Sequence, residues 1–288
     1  MTGERATGVG RGTGLPYRAT RQVYLRARSL VERRHPWAGL RILAYHRVCE
    51  EVDELAVSPA QFREQMLVLR DSDITVVRLA AVDAISDIAP GVRQVCVTFD
   101  DGYHDNLEHA VPVLAELGIP ATIFLPTRII DGEKTFHWYR TPPRALSWPD
   151  VHELQHAGLV DFQSHTMNHP LLPTLADAEA RREIVESRRE LEQRLGRVVT
   201  SFCYPAGRFG PREAALVTEA GYRFAVTTLP GVNGANQSPA ALRRTLIHRD
   251  DSRRHFAAKL EGCRDSPDPL PAALRRLRLL PSSREPAA

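Results

Sequence analysis

The chain has 288 residues, 43% hydrophobic and 25% charged, with a formal net charge of +3. That is enough for one large α/β domain with a sizeable core, so the chain is not divided into two folding units. The charge is too small to mark a nucleic-acid binder, and no run of about 18 apolar residues marks a transmembrane helix.

Residues 1–14 are rich in Gly, Thr and Arg and read as a disordered start without the apolar core of a secretory signal. A cytoplasmic location is the expectation. Over 16–34, Val23, Tyr24, Ala27, Leu30 and Val31 share one face of a helix, with arginines mostly elsewhere. Such a basic amphipathic helix either packs on the main domain or makes peripheral contact with the inner face of a membrane. The four cysteines, at 49, 96, 203 and 263, form no C-x-x-C pair; Cys96 and Cys203 sit in apolar runs and read as reduced core residues.

From Arg41 the chain alternates strands and helices. A strand over 42–45 ends at His46. Ser58-Pro59 starts a helix, since Ser caps well and Pro suits the first helical position. A strand over 74–77 and a helix over 79–88 follow. The strand 95–99 ends in Asp100-Asp101-Gly102. A helix near 106–117 stops at Gly118, and 121–125 is the next strand. Residues 126–147, aromatic and proline-bearing, read as a loop inserted over a site. An open cleft there would suit a polymer, and a capped pocket a small molecule. Next come a helix opened by Ser147, a strand 159–164 delivering His165 and His169, a charged helix 175–195, and a strand 201–204 before Pro205. A helix 211–220, a strand 224–227 and a short strand 246–248 complete the series. The tail from Ser266 is rich in Pro and Arg, with a short basic helix near 272–280.

This alternation predicts a largely parallel sheet. The polar signals fall after strands: His46, Asp100 and Asp101, His165 and His169, Tyr204 and Pro205. In a β/α barrel those strand ends share one face, where active sites are built. Successive strand residues point to opposite faces, so Asp100 and Asp101 serve one site only if the strand ends there, and Gly102 supplies the turn. Asp-Asp-Gly is also ordinary turn chemistry. The four-residue spacing of His165 and His169 lets both imidazoles reach one ion from a helical turn. Two His and one Asp leave coordination positions open for water and substrate. The Tyr204 backbone N–H is a candidate oxyanion donor, with Pro205 in a groove wall. His46 is a candidate general acid and His248 its rival. Arg244 either orients a carboxylate through its planar fork or is a surface charge.

Thr98-Phe99-Asp100-Asp101-Gly102 and Ser164-His165-Thr166-Met167-Asn168-His169 resemble the first two motifs of the polysaccharide deacetylases of the NodB-homology type, carbohydrate esterase family four. The resemblance covers roughly residues 40–250. Three further segments are similar to one branch, the exopolysaccharide deacetylases. They are Tyr45-His46-Arg47-Val48, then Phe202 to Gly207 as an F-x-Y-P-x-G variant, and Leu242-Arg243-Arg244-Thr245. The family's late Asp-Trp motif is not visible.

The resemblance implies a distorted (β/α) barrel with fewer than eight regular strands. It implies Asp100 as general base, Asp101, His165 and His169 as ligands of a divalent metal, most often Zn2+, and His46 in place of a late catalytic histidine. It divides the chain into a basic extension (1–39), a NodB-like domain (40–255) and a Pro/Arg-rich tail (256–288). The implied activity is metal-dependent N-deacetylation of an N-acetylated carbohydrate, with no nucleic-acid partner. Hydrolysis of a small N-acetylated metabolite or other amide, and a silent glycan-binding homologue, stand as alternatives.

Overall fold

The computed structural model describes residues 37–262. The amphipathic helix expected over 16–34 and the basic helix expected near 272–280 lie outside the described residues.

Parallel pairing dominates. β1 (Gly39–Tyr45), β5 (Arg93–Phe99), β6 (Ala121–Leu125), β7 (Val160–Ser164), β8 (Ser201–Cys203) and β9 (Phe224–Val226) run side by side in that order. β4 (Thr75–Val76) and β6 share one edge of β5: β4 pairs at Gln94 and Val95, β6 at Val97 to Phe99. β10 (Thr245–Leu246) pairs with β1 on the other side. Just before β10, Leu242 bridges Val226 of β9, and the Thr227 N–H donates to the Leu242 carbonyl at 2.9 Å. One short segment therefore touches both ends of the sheet and curls it into a distorted barrel. β2 (Arg47–Val48) and β3 (Ala56–Val57) form a separate pair beside its mouth.

The two-residue period of the strands sorts side chains into two sets. Leu40, Ile42, Cys96, Phe124, Cys203, Phe224 and Val226 meet inside the curl. Leu43, Tyr45, Val97, Phe99, Ile123, Leu125 and Phe162 face outward into a second core beneath the helices. Such complete apolar burial on both faces is what a parallel sheet covered by helices requires.

The helices begin where their caps specify. Ser58 makes a capping box with Gln61 at the start of α1 (Pro59–Arg70). α2 is Val111–Leu117 and α3 is Thr127–Ile130. Ser147 does the same with Asp150 for α4 (Trp148–Ala157). α5 (Asp177–Leu195) stops at a left-handed Gly196, and α6 (Pro211–Glu219) follows β8.

Three expectations need correction or extension. The segment 79–88 is two 3₁₀ turns, Leu79–Ala81 and Ile85–Asp87, not one helix. Its buried residues Leu79, Val82 and Ile85 recur every third position, the period of a 3₁₀ turn, and they close one end of the inner core. The segment 106–117 opens as a π turn, Asn106–Ala110, before α2. Pro112 lacks the N–H that a continuous α-helix would need there. Finally, α7 (Arg253–Leu260) crosses the expected boundary at residue 255, and Phe256 and Leu260 are buried in the outer core. The folded body therefore runs at least to Leu260.

Candidate active site

Strand register assembles the first half of the site. In β1 and β5, Ala44 lies opposite Thr98 and Tyr45 opposite Phe99. The next residues out, His46 and Asp100, are therefore level and point toward the inside of the curl. The Asp100 N–H continues the ladder onto the Tyr45 carbonyl at 3.0 Å. His46 Nε2 stands 3.8 Å from Asp100 Oδ2. The π turn holds this position from behind, where Asn106 Nδ2 donates to the His46 carbonyl at 2.8 Å.

Arg244 locks Asp100. Its Nη1 and Nη2 donate to the two carboxylate oxygens, both at 2.7 Å. Its Nε donates to the Thr227 carbonyl at 2.8 Å, and Nη2 lies 3.2 Å from Cys203 Sγ. Arg244 is completely buried, so the surface-charge reading is excluded. Burial alone would raise the Asp100 carboxyl. The guanidinium fork outweighs it and holds Asp100 well below the usual carboxylate range.

The second half begins where the strand alternation breaks. Asp101 has φ 74, so it leaves the sheet plane and turns to the same side as Asp100. Gly102 follows at φ +69, and a Cβ there would sit 2.6 Å from Leu125 Cδ2. Only glycine fits both that conformation and that space.

From β7, the His165 N–H donates to the Leu125 carbonyl at 3.0 Å, and its Nδ1–H donates to the Cys203 carbonyl at 2.8 Å. That bond presents Nε2 to Asp101. His169 reaches the same point, but not from a helical turn as the spacing predicts. Thr166 and His169 have φ 68 and 56, and the chain between them is a non-helical loop. The His169 N–H donates to Thr166 Oγ1 at 2.9 Å.

The three side chains converge on Asp101 Oδ1. His165 Nε2 and His169 Nε2 are each 3.4 Å from it. Asp101 Oδ1 is buried and has no hydrogen-bond partner among the described residues. Ligand atoms about 2.0–2.2 Å from a tetrahedral zinc ion lie about 3.3–3.6 Å apart, so the donor set fits a divalent cation of that kind. Burial pulls the His169 imidazole down to about 4, as a neutral ligand requires. Burial opposes a proton on His165 too, but Cys203 and Asp101 push it upward. Asp100, His165 and Cys203 form a second close group, but both Asp100 oxygens are already held by Arg244. The Asp101 set is therefore the candidate metal centre.

The backbone of Tyr204, another group expected at the site, is already engaged. The Tyr204 N–H donates to the Val226 carbonyl at 3.2 Å and is not available as an oxyanion donor. Its hydroxyl donates to the Ala240 carbonyl at 2.9 Å, and its ring stacks on Phe209. Tyr204 and Pro205 are both buried, and the Tyr204 N–H and hydroxyl are engaged within the fold. The His248 backbone N–H donates to Asp251 Oδ2 at 2.8 Å, and His248 follows β10, where the Ile247 N–H donates to the Ala44 carbonyl of β1 at 2.9 Å. Of the two candidate acids, the structure puts His46 beside Asp100.

Glu183 was not foreseen. It is buried on α5 and accepts from the N–H groups of Met167 and Asn168, both at 3.0 Å, and from Asn168 Nδ2 at 2.6 Å. It thereby ties down the loop that carries His169. A lone Glu in a charged helix gives no sequence signal for this. Glu183→Ala is expected to weaken zinc binding by roughly 10–100-fold, the usual effect of losing a group that orients metal ligands. Calorimetric zinc titration checks it; unchanged affinity would mean the loop holds itself.

The family model described as polysaccharide deacetylase matches residues 87–225. YxkH of Bacillus subtilis (strain 168), whose name assigns it provisionally to the polysaccharide deacetylases, is 30% identical over 227 residues, covering 78% of this chain and 77% of its own. The chain belongs to the polysaccharide deacetylase family. Within the family, the poly-β-1,6-N-acetyl-D-glucosamine N-deacetylase of Staphylococcus aureus is 24% identical over 222 residues, 74% of each chain. The solved structure of IcaB from Ammonifex degensii superposes with a TM-score of 0.67 at 25% identity, covering 78% of this chain and 98% of that one. The barrel expected from the motifs is thus the fold of the family. Among the described residues, no helix is long and apolar enough to cross a membrane.

Proposed function

We propose that this polysaccharide deacetylase is a metal-dependent N-deacetylase that removes acetyl groups from β-linked N-acetylglucosamine units of a polysaccharide or glycan precursor. The observation that carries the reading is the pairing of two adjacent carboxylates in different roles. Asp100 has both oxygens on Arg244 and His46 at its side. Asp101 has a bare buried oxygen between two imidazoles. The printed name of the S. aureus relative supports the choice of sugar.

Asp101, His165 and His169 would hold the metal, for which zinc suits the oxygen and nitrogen donors. When bound, such an ion supplies Lewis-acid polarisation of the acetyl carbonyl and lowers the pKa of water. The residues of the chain do the rest. Asp100, held ionised by Arg244, accepts the proton of the attacking water. His46, on the same rim, gives a proton to the amine nitrogen as the C–N bond breaks. The products are acetate and a free amino sugar.

The test is acetate release from β-1,6-linked N-acetylglucosamine oligomers by protein stripped with chelator and reloaded with zinc. Zinc-dependent release that disappears in Asp100→Asn supports the reading. No release from oligomers or N-acetylated monosaccharides, with zinc bound at stoichiometry, overturns it. In the same assay His46→Ala is expected to lower the rate by about 10²–10⁴-fold, the usual contribution of a positioned acid. His248→Ala should stay near the unmodified rate, and the reverse ranking would move the acid to His248.

A further inference from the structure

The loop after α3 places a partly exposed aromatic side chain at the edge of the candidate metal centre. Phe136 is buried against Tyr103, with ring centroids 4.4 Å apart. Two residues on, Trp138 is 37% exposed. Its ring lies 4.4 Å from the His169 imidazole at 40°, so the indole stands at the edge of the candidate metal centre. Its Nε1–H is directed to the Tyr103 hydroxyl at 3.3 Å, which sets the ring's orientation.

The loop is pinned on its other side as well. The Tyr139 hydroxyl donates to the Asp53 carboxylate. The Arg47 guanidinium lies 5.7 and 5.8 Å from the Tyr103 and Tyr139 rings, and its Nε donates to Asp105 at 2.8 Å. An indole is large and apolar, and leaving a third of it in water forfeits burial free energy. Here it is both exposed and held in place, beside His169.

We infer that Trp138 is a binding platform for the pyranose ring of the substrate, which makes the site selective for sugars over small acyclic amides. This rests on the deacetylase reading above. A β-configured N-acetylglucosamine ring has equatorial substituents, so its two faces are largely C–H and its polar groups point outward from the rim. Such a face stacks on an indole, whereas an acyclic amide has no comparable surface. The ring orientation set by Tyr103 and His169 means that little conformational freedom is lost on binding. Trp138 is a positioning residue for the sugar and takes no part in proton transfer.

Two measurements test it. The first needs no turnover: zinc-free protein is titrated with a β-1,6-linked N-acetylglucosamine pentamer while tryptophan emission is followed. The chain has three tryptophans, so a saturable emission change should appear in the unmodified protein and vanish in Trp138→Phe, which retains Trp37 and Trp148. The second is steady-state kinetics with zinc. Trp138→Ala should raise KM for the pentamer about tenfold or more and leave kcat within about threefold, the signature of lost uniform binding. Trp138→Phe should fall between the two, and zinc affinity should not change.

A KM within twofold of the unmodified value in Trp138→Ala overturns the inference. So does a loss of activity that tracks a loss of zinc affinity, which would make Trp138 a support for His169. The outcomes separate from those of the parent reading. An emission change without any acetate release keeps the platform and removes the deacetylase. Release with an indifferent Trp138 does the reverse, and neither signal removes both.

Discussion

Asp101→Ala is expected to lose tight zinc binding and to deacetylate about 10³-fold or more slowly, because Lewis-acid stabilisation of several kcal/mol corresponds to at least that factor. The structural reason is that Asp101 carries the only negative charge in its donor set. Its Oδ1 is the atom on which both imidazoles converge, each at 3.4 Å. Removing it leaves two neutral or competing imidazoles that hold a divalent ion weakly. One complication is local: Asp101 sits at φ 74, a conformation that Asp and Asn tolerate better than Ala. Asp101→Asn is therefore the companion variant, keeping the turn while removing the charge. Zinc titration, thermal melting and rate are measured together. A near-unmodified rate in zinc-loaded Asp101→Asn would take Asp101 out of the ligand set. Loss of zinc binding with an intact melt in that variant would establish it.

Arg244→Met should have the largest effect on stability. The pair it makes with Asp100 is bidentate and buried, and taking away one member of such a pair costs about 3–5 kcal/mol because the other stays buried without it. The sign with pH follows from the direction of the Asp100 shift. Its folded-state value is depressed. The pair therefore contributes stability above the ordinary carboxylate pKa of about 3.9, and that contribution fades as pH falls through the folded value. The gap between unmodified protein and Arg244→Met, read by urea denaturation, should be full near neutrality and narrow in acid. The rate should respond too. A base works ionised, so losing the guanidinium raises the Asp100 pKa and moves the acid limb of the pH–rate profile upward. Arg244→Lys keeps a charge but not the fork and should fall between. A pH-independent stability gap, or an unmoved acid limb, would mean that Arg244 acts by packing alone.

The site was partly legible in the chain because its chemistry is written at strand ends. Asp100-Asp101-Gly102 and His165 with His169 are short local signals, and placing them after apolar runs is enough to put them on one face of a barrel. The helix starts at Ser58 and Ser147 were equally local, since a capping box involves four consecutive residues. What local pattern missed has a common cause: it depended on where backbone groups found partners. The Tyr204 N–H looked available until the β8–β9 ladder took it. The four-residue spacing of the histidines suggested a helical turn. The chain instead makes a loop with two left-handed residues, held from outside by Glu183. The segment 79–88 had an apolar pattern that could be read as a helix, and its period of three became decisive only where it closes the inner core.

The sequence by itself determined the class of chemistry. Two adjacent carboxylates before a glycine, two imidazoles four apart, and an early histidine are a matter of residue identity and order, and no packing alters which groups they offer. Tertiary structure decided how those groups are used. The register of β1 on β5 sets His46 level with Asp100. The closing segment at Leu242–Leu246 brings Arg244 across 144 positions of chain onto one carboxylate. The positive φ of Asp101 turns the other carboxylate toward the histidines. These are long-range pairings and backbone conformations whose free energy comes from the whole packed barrel, so no window of sequence contains them.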